Sequence, residues 1–240
     1  MTKIIGISGR KQSGKNTVGN IVNGIVLKNL NMIQDYAINE EGNLQIKTAT
    51  ASGDIGWGIF DILRRDEEFI SYAESNLWPY IKAYHFADYL KKMSIDLFDL
   101  TPDQVYGSDT DKNTSTPYSQ NGWKHKMTSR EFLQYLGTDV MRKIKDTVWV
   151  DYTIKTIKAE GSSVAIIPDV RFPNEVESIK KAGGVVLRLT RDPFHSDHSC
   201  ESALDEDNYD WNNFDEIIDN KNLKILELVQ KIETFKWMWS

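Results

Sequence analysis

Apolar positions in this chain fall into two kinds of run. Residues 4–7, 81–86, 163–168 and 185–189 are short and nearly continuous in apolar character. Runs of that length flanked by turn residues predict strands, and continuous ones predict strands covered on both faces, as in parallel sheets. Elsewhere apolar residues recur every three or four positions, as Val18, Ile21, Val22, Ile25, Val26 and Leu30 do. That spacing predicts a helix over 15–29 with one face on a sheet. Leu90, Met93, Leu97 and Phe98 predict another over 87–100, and further helices are expected at 129–143, 147–159, 173–182 and 223–237. Thr128 with Glu131 forms a capping box that starts the third of these. A short strand is expected at 216–219. Strand, crossover helix, strand in this order implies right-handed parallel units and an α/β class.

Three stretches resist the pattern. Residues 31–80 read as an insertion, with a small hairpin around 41–48 and a helix over 59–73. Residues 101–127 form a second insertion, of which 108–126, rich in Ser, Thr, Asn and Asp, reads as a long loop. Residues 191–215 read as a lid-like loop. All three are taken as parts of one domain spanning 1–240.

Chemistry enters directly after the first strand. Ser8-Gly9-Arg10-Lys11-Gln12-Ser13-Gly14-Lys15-Asn16-Thr17 is Gly-x-x-x-x-Gly-Lys between a strand and a helix, the context of a phosphate-binding loop. Gly9 and Gly14 allow backbone N–H groups to converge on phosphate oxygens, and the following helix directs its positive end into the same space. Lys15 supplies a mobile, solvent-accessible cation that follows charge from one phosphate to the next. The hydroxyl that holds magnesium in many such loops comes one position late, at Thr17, with Asn16 in its usual place.

Ligands of parallel sheets gather beyond the carboxyl ends of the strands. That rule brings Asp169 and Arg171 beside the loop, with Glu175 four residues on as a salt-bridge partner for Arg171. Arg130 and Gln134 share a helix face that Gly137 and Thr138 continue, suited to a phosphate and a flat base, or equally an ordinary solvated stripe. Trp149 reads as core and Lys91 as a surface lysine. His195, His198 and Cys200 lack a fourth ligand for zinc, and His198 and Glu201 fit polar contacts within a loop.

Composition narrows the classes. A net charge of -6 argues against an extended face for polymeric nucleic acid. No apolar run reaches the roughly 20 residues of a membrane span, and Met1-Thr2-Lys3 opens no signal peptide. The single cysteine makes a reducing cytoplasm the default, that of the host if the chain is phage-encoded. A homodimer is compatible with the sequence.

Taken in order, Ser8-Gly9 through Thr17, residues 87–91, Arg130 with Gln134, Leu136-Gly137-Thr138-Asp139, Trp149-Val150, Pro168-Asp169-Val170-Arg171 with Glu175, His198 with Glu201, and Ile217-Ile218-Asp219-Asn220 resemble the bacteriophage deoxynucleoside monophosphate kinases. That family tends to carry Asp where Asn16 stands, which bears on magnesium. The resemblance implies an α/β P-loop kinase fold, a three-layer arrangement with a central five-stranded parallel sheet and inserted substrate-binding and lid segments. It implies transfer of the γ-phosphoryl of ATP, with Mg2+, to a deoxynucleoside 5′-monophosphate. By position, Gly9, Lys11, Ser13, Gly14, Lys15, Asn16, Thr17 and Arg191 would hold ATP, with Thr17 toward magnesium. Lys91, Arg130, Gln134, Gly137, Thr138, Trp149, Asp169, Arg171, Glu175 and Glu201 would surround the acceptor. Lys15, Arg130, Asp169 and Arg171 would stabilise the transfer. A kinase for another small acceptor and a non-catalytic nucleotide-binding regulator are the alternatives that the loop alone leaves open.

Overall fold

The computed structural model of the chain describes residues 2–49, 53–120, 122, 124–193 and 202–235. Two compact units emerge, residues 1–84 with 154–240, and residues 85–153.

The first unit is built on five strands, β1 (Lys3–Ser8), β5 (Ile81–Ala83), β6 (Val164–Val170), β7 (Val185–Leu189) and β8 (Glu216–Ile218). They lie in the order β5-β6-β1-β7-β8, every neighbouring pair parallel, as the resemblance implies. β1 is central and covered on both sides. Ile5 and Ile7 join Val18, Ile21, Val22 and Ile25 of α1 (Lys15–Asn29) in the main core. On the opposite face Gly6 is so close to α8 (Pro173–Lys181) that a β-carbon there would lie 2.9 Å from Ile179 Cδ1.

Where β1 pairs with β6, Gly6 stands opposite Ile167 but Ser8 opposite Val170, so β6 carries one extra residue. Pro168 lies in that bulge, where its missing N–H costs no ladder bond. The strand therefore does not end at Pro168, as its apolar run suggests, but carries on through Asp169 to Val170.

Residues 31–80 hold more than a hairpin. β2 (Asp35–Ile38), β3 (Leu44–Ala49) and β4 (Ile55–Ile59) form an antiparallel sheet in that order. Its inner face is part of the main core, through Tyr36 and Leu44 with Phe69 and Ala73 of α2 (Glu67–Asn76). Ile55, Trp57 and Ile59 are exposed on the edge strand β4. The helix expected over 59–73 begins later because Ile59 belongs to β4 and Asp66 stops the chain from continuing upstream. Its carboxylate accepts from the amide of Phe69 at 3.0 Å and from Arg64 at 2.8 Å. Arg64 first, then that amide, holds the Asp66 carboxyl down at about 2.

The second unit contains α3 (Asp88–Phe98), α4 (Pro102–Tyr106), α5 (Asp109–Lys112) and α6 (Ser129–Gln134), so the stretch expected as a loop over 108–126 begins with a short helix. Ser108 caps α5, and Ser115 bridges Thr128. Leu100, Val105, Met127 and Phe132 form its core, with the rings of Phe98 and Phe132 5.0 Å apart. Leu97, expected on the buried face of α3, is 69% exposed. The Thr128–Glu131 capping box is present. Beyond Gln134 the helix widens to a π-helical segment, Tyr135–Arg142, before α7 (Val148–Glu160).

In the first unit the closing helix α9 (Ile225–Glu233) packs on α1 and β2, where Glu233 accepts from the Tyr36 hydroxyl at 2.6 Å. Among the described residues no helix is long and apolar enough to cross a membrane.

The ring of Tyr36 lies over Gly24 of α1, where a β-carbon would meet Cδ2 at 2.3 Å. Gly24→Ala is expected to lower stability by about 1–3 kcal/mol, the range for overpacking. Gly58→Ala, with open space around it, should shift it by less than about 0.5 kcal/mol in the same urea titration.

Candidate functional site

Residues 9–14 link β1 to α1. A β-carbon on Gly9 would lie 2.3 Å from Ser13 Oγ, so the loop closes on itself only with glycine at that position. Gly14 is the N-cap of α1 at φ 100°, and no side chain caps the helix. The first N–H groups of a 15-residue helix thus face outward without a side-chain partner, the arrangement that receives an anion. Ser13 is fully buried, and its hydroxyl has no hydrogen-bond partner among the described residues. Lys15 departs from the sequence expectation of an accessible cation. It is 9% exposed, and its ammonium donates to the carbonyls of Gly9 and Arg10, both at 2.7 Å.

A cavity of about 440 Å³, within the size range of small-ligand sites, opens at this loop. Lys11 to Thr17, Arg171 and Arg191 line it, together with Asn220, Leu223, Ile225 and Leu228 and with Glu40 to Gly42. Gly9 is not part of this lining. Asp169, on the bulge of β6, is half-buried and outside the lining. Thr17 borders the cavity but also packs on Gly42, whose β-carbon would stand 2.4 Å from Thr17 Oγ1. Asn16 is exposed at the rim.

Glu175, expected to pair with the Arg171 side chain, turns its carboxylate to the backbone of the turn after β6 as well as being buried. It accepts from the amides of Arg171 at 2.8 Å and Phe172 at 3.1 Å, and it is 2% exposed. It therefore fixes the turn that carries Arg171.

Asn220 is a positioning residue that spacing does not disclose. Its amide donates to Ser13 O at 2.8 Å and its oxygen accepts from Arg191 N at 3.0 Å. One buried side chain ties the phosphate loop to Arg191, two residues past β7. The only hint in the sequence is a polar pair, Asp219-Asn220, directly after a short apolar strand.

A second network lies beneath the loop. Arg188 sits in the apolar run of β7, donating to Ser8 Oγ at 3.1 Å and Asp205 at 2.9 Å, its guanidinium over the ring of Trp211. Burial pulls its pKa below the usual arginine range, and Asp205 opposes that shift. Asp205 also accepts from Arg10, which reaches Asp192 at 3.1 Å with its other nitrogen. A charged residue inside an apolar strand is the sequence signal for such a network, since a buried charge needs a partner.

In residues 85–153, Arg130 donates to Asp109 at 2.6 Å and remains half-exposed. Gln134 and Thr138 are exposed. Gly137 is buried against Leu90, and its carbonyl accepts from the indole of Trp149 at 3.0 Å. Trp149 is 5% exposed. Lys91 lies over the ring of Tyr106 at 4.8 Å. Glu201, His195, His198 and Cys200 lie outside the described residues.

Asp205→Ala leaves Arg188, whose side chain is 5% exposed, without its partly buried counter-charge. The expected loss is about 3–5 kcal/mol in urea unfolding. Adding Arg188→Met should recover most of it, because the charge that lacked a partner is then gone.

Comparison with known proteins agrees with the fold. The family model for deoxynucleotide monophosphate kinase matches residues 64–232. The match takes in α2 through most of α9 and begins after the phosphate loop. Over 135 residues, half of this chain, the sequence is 33% identical to a protein of Acanthamoeba polyphaga mimivirus provisionally named a deoxynucleotide monophosphate kinase. Over 88 residues, 32% of this chain, it is 30% identical to the deoxynucleoside-5′-monophosphate kinase of Escherichia phage T5. The aligned stretches span 66% and 35% of those two proteins, less than two thirds of either. With the model match covering well over half of its length, the chain belongs to the deoxynucleotide monophosphate kinase family.

Proposed function

We propose that this protein transfers the γ-phosphoryl group of ATP to a deoxynucleoside 5′-monophosphate, giving the diphosphate and ADP. The observation that carries the reading is the uncapped start of α1 behind a glycine-closed loop, opening on a cavity that Lys11, Arg171 and Arg191 line. A triphosphate fits such a cradle, because backbone N–H groups and cations converge where its charge would lie. Family membership supports the acceptor class.

On this reading Gly9, Lys11, Ser13, Gly14, Lys15, Asn16 and Thr17 hold the donor phosphates, and Arg191 adds charge beside them. The buried Ser13 hydroxyl, with no partner among the described residues, matches an acceptor supplied by a ligand. Lys15 exchanges its carbonyl partners for phosphate oxygens and moves charge with the transferred group. Thr17 and Asp169 are the oxygen donors from which magnesium would be held, directly or through water. When bound, the ion neutralises phosphate charge.

For the acceptor, the reading assigns Arg130 and Lys91 as cations, with Gln134, Gly137, Thr138 and Trp149 toward the nucleoside and Glu201 as a further polar contact. Asp169 orients the acceptor phosphate and Arg171 neutralises the charge that spreads over the transferring group. Glu175 acts through the backbone of Arg171. No protein nucleophile is needed: an acceptor oxygen attacks in line, and the enzyme contributes position and positive charge.

Coupled assays with all four deoxynucleoside monophosphates and their ribonucleoside counterparts test this directly. Turnover of at least one deoxynucleotide is expected, and ATP binding without any diphosphate product would replace the reading with that of a regulator. Lys15→Ala should lower kcat by roughly 100-fold or more, as loss of a charge-stabilising group does, with an unchanged circular dichroism spectrum. Arg130→Ala should raise the acceptor KM at least about tenfold, the cost of one lost charge-assisted hydrogen bond, while the ATP KM moves less than twofold. Equal effects on both constants would remove Arg130 from the acceptor side.

A further inference from the structure

β4 is an edge strand of the antiparallel meander: among the described residues it pairs with β3 and with no other strand. Its pairing with β3 fixes which of its backbone groups are used. Phe60 N donates to Leu44 O at 2.8 Å, and hydrogen-bonded pairs recur at every second residue of an antiparallel ladder. Gly58 and Gly56 therefore turn their N–H and C=O groups toward Ile46 and Thr48, with which they are in register. The N–H and C=O groups of Ile55, Trp57 and Ile59 point the other way, off the edge of the sheet.

Edges of this kind are ordinarily blunted by charge or proline, because they pair with any strand that reaches them. Residues 55–59 contain neither. They read Ile-Gly-Trp-Gly-Ile, the same in both directions. The side chains of Ile55, Trp57 and Ile59 share one face and are 55%, 51% and 66% exposed, and Gly58 has open space where a β-carbon would stand. The palindrome selects the strand that fits this edge. An antiparallel partner is met in reverse, so a second β4 centred on Trp57 sets Ile55 opposite Ile59, Gly56 opposite Gly58 and Trp57 opposite Trp57. The centre falls on a residue whose N–H and C=O face outward, so a twofold axis there passes through a hydrogen-bonded pair, and every outward group of the strand finds its complement. The flanks agree, since Asp54 meets Phe60 and Gly53 meets Asp61, and no like charges stand opposite each other.

We propose that β4 is a dimerisation edge, on which a second copy of this chain adds its own β4 antiparallel about a twofold axis at Trp57. The two three-stranded sheets then run into one another. Both Trp57 rings lie side by side on one face, with an isoleucine pair on either side, and supply the apolar contact. Because the same patch is used by both copies, the pairing closes at two and consumes the edge instead of propagating it. A strand of 5 residues makes a small interface, so the association is concentration-dependent. It needs no ligand and is independent of the kinase reading.

Sedimentation equilibrium of the full chain tests the association. The average mass should rise from that of the monomer toward twice that value between about 1 and 100 µM, the range of small interfaces. Trp57→Lys, which sets two ammonium groups at the axis, should weaken dimerisation at least about tenfold, with an unchanged circular dichroism spectrum. Register is read separately by cysteine pairing in a Cys200→Ser background. Facing α-carbons of a hydrogen-bonded pair lie about 5.5 Å apart, within disulfide reach, so Trp57→Cys should cross-link to itself on oxidation. Ile55→Cys alone and Ile59→Cys alone should not, because their copies would stand about 14 Å apart, whereas a mixture of the two variants should. A chain that stays monomeric throughout overturns the proposal, as do masses that climb past the dimer. Undiminished dimerisation of Trp57→Lys places the interface elsewhere, and Ile55→Cys cross-linking to itself as readily as Trp57→Cys refutes the register; either result also overturns it. Should Trp57→Lys fail to fold, the cross-linking pattern decides.

Discussion

A helix can offer its first N–H groups to an anion only while nothing in the protein caps them, and much of the larger unit holds α1 in that condition. Gly14 stands at the N-cap with no side chain to fold back. Two-sided burial of β1 fixes where the helix starts. Asn220 restrains the loop from the carboxyl end of β8, and the β2–β3 turn restrains α1 from the opposite flank through Asn20. An exposed end of this kind is stable because the remainder of the helix is not exposed: ten of its residues are buried.

Charge is distributed to match. The chain is acidic overall, yet its phosphate loop contains Arg10, Lys11 and Lys15 within six positions. Arg10 is turned toward Asp192 and Asp205, and Arg188 shares Asp205 with it, so two of the site's guanidinium groups are balanced inside the protein. Lys11, Arg171 and Arg191 line the cavity. Arginine suits the internal role because its planar group accepts a carboxylate on one edge and an aromatic ring on its face, as Arg188 does with Asp205 and Trp211.

What the sequence disclosed of this protein, and what it did not, follows the range of the forces involved. The loop, α1, β7 and α8 depend on neighbours a few residues apart, and their spacing is visible in a linear string. The Thr128 capping box is equally local. The meander at 35–59 was opaque because its strands are short and its buried face is defined by α1, α2 and α9, distant in sequence. The helix expected from residue 59 starts only at Glu67, because Ile59 is held in β4 and Asp66 supplies the cap. The widening after Gln134 reflects the packing of Gly137 against Leu90 and the indole bond to its carbonyl, neither of which a helical wheel contains. At the site, residue types were legible and partners were not. Glu175 accepts from the backbone of Arg171, and Asn220 and Asp205 act across some two hundred positions.

The contact between Gly42 and Thr17 limits how this architecture can vary. Hairpin tips are ordinarily where lineages insert, trim or exchange segments, since solvent tolerates the change. Here the tip is seated on a helix, and the pleat behind it alternates Leu44 and Ile46 inward with Gln45 and Lys47 outward. Removing one residue would invert that alternation and lift the tip from its seat at once. The meander is therefore not a portable ornament on a common kinase frame, and a chimera that borrowed it would have to borrow α1 as well.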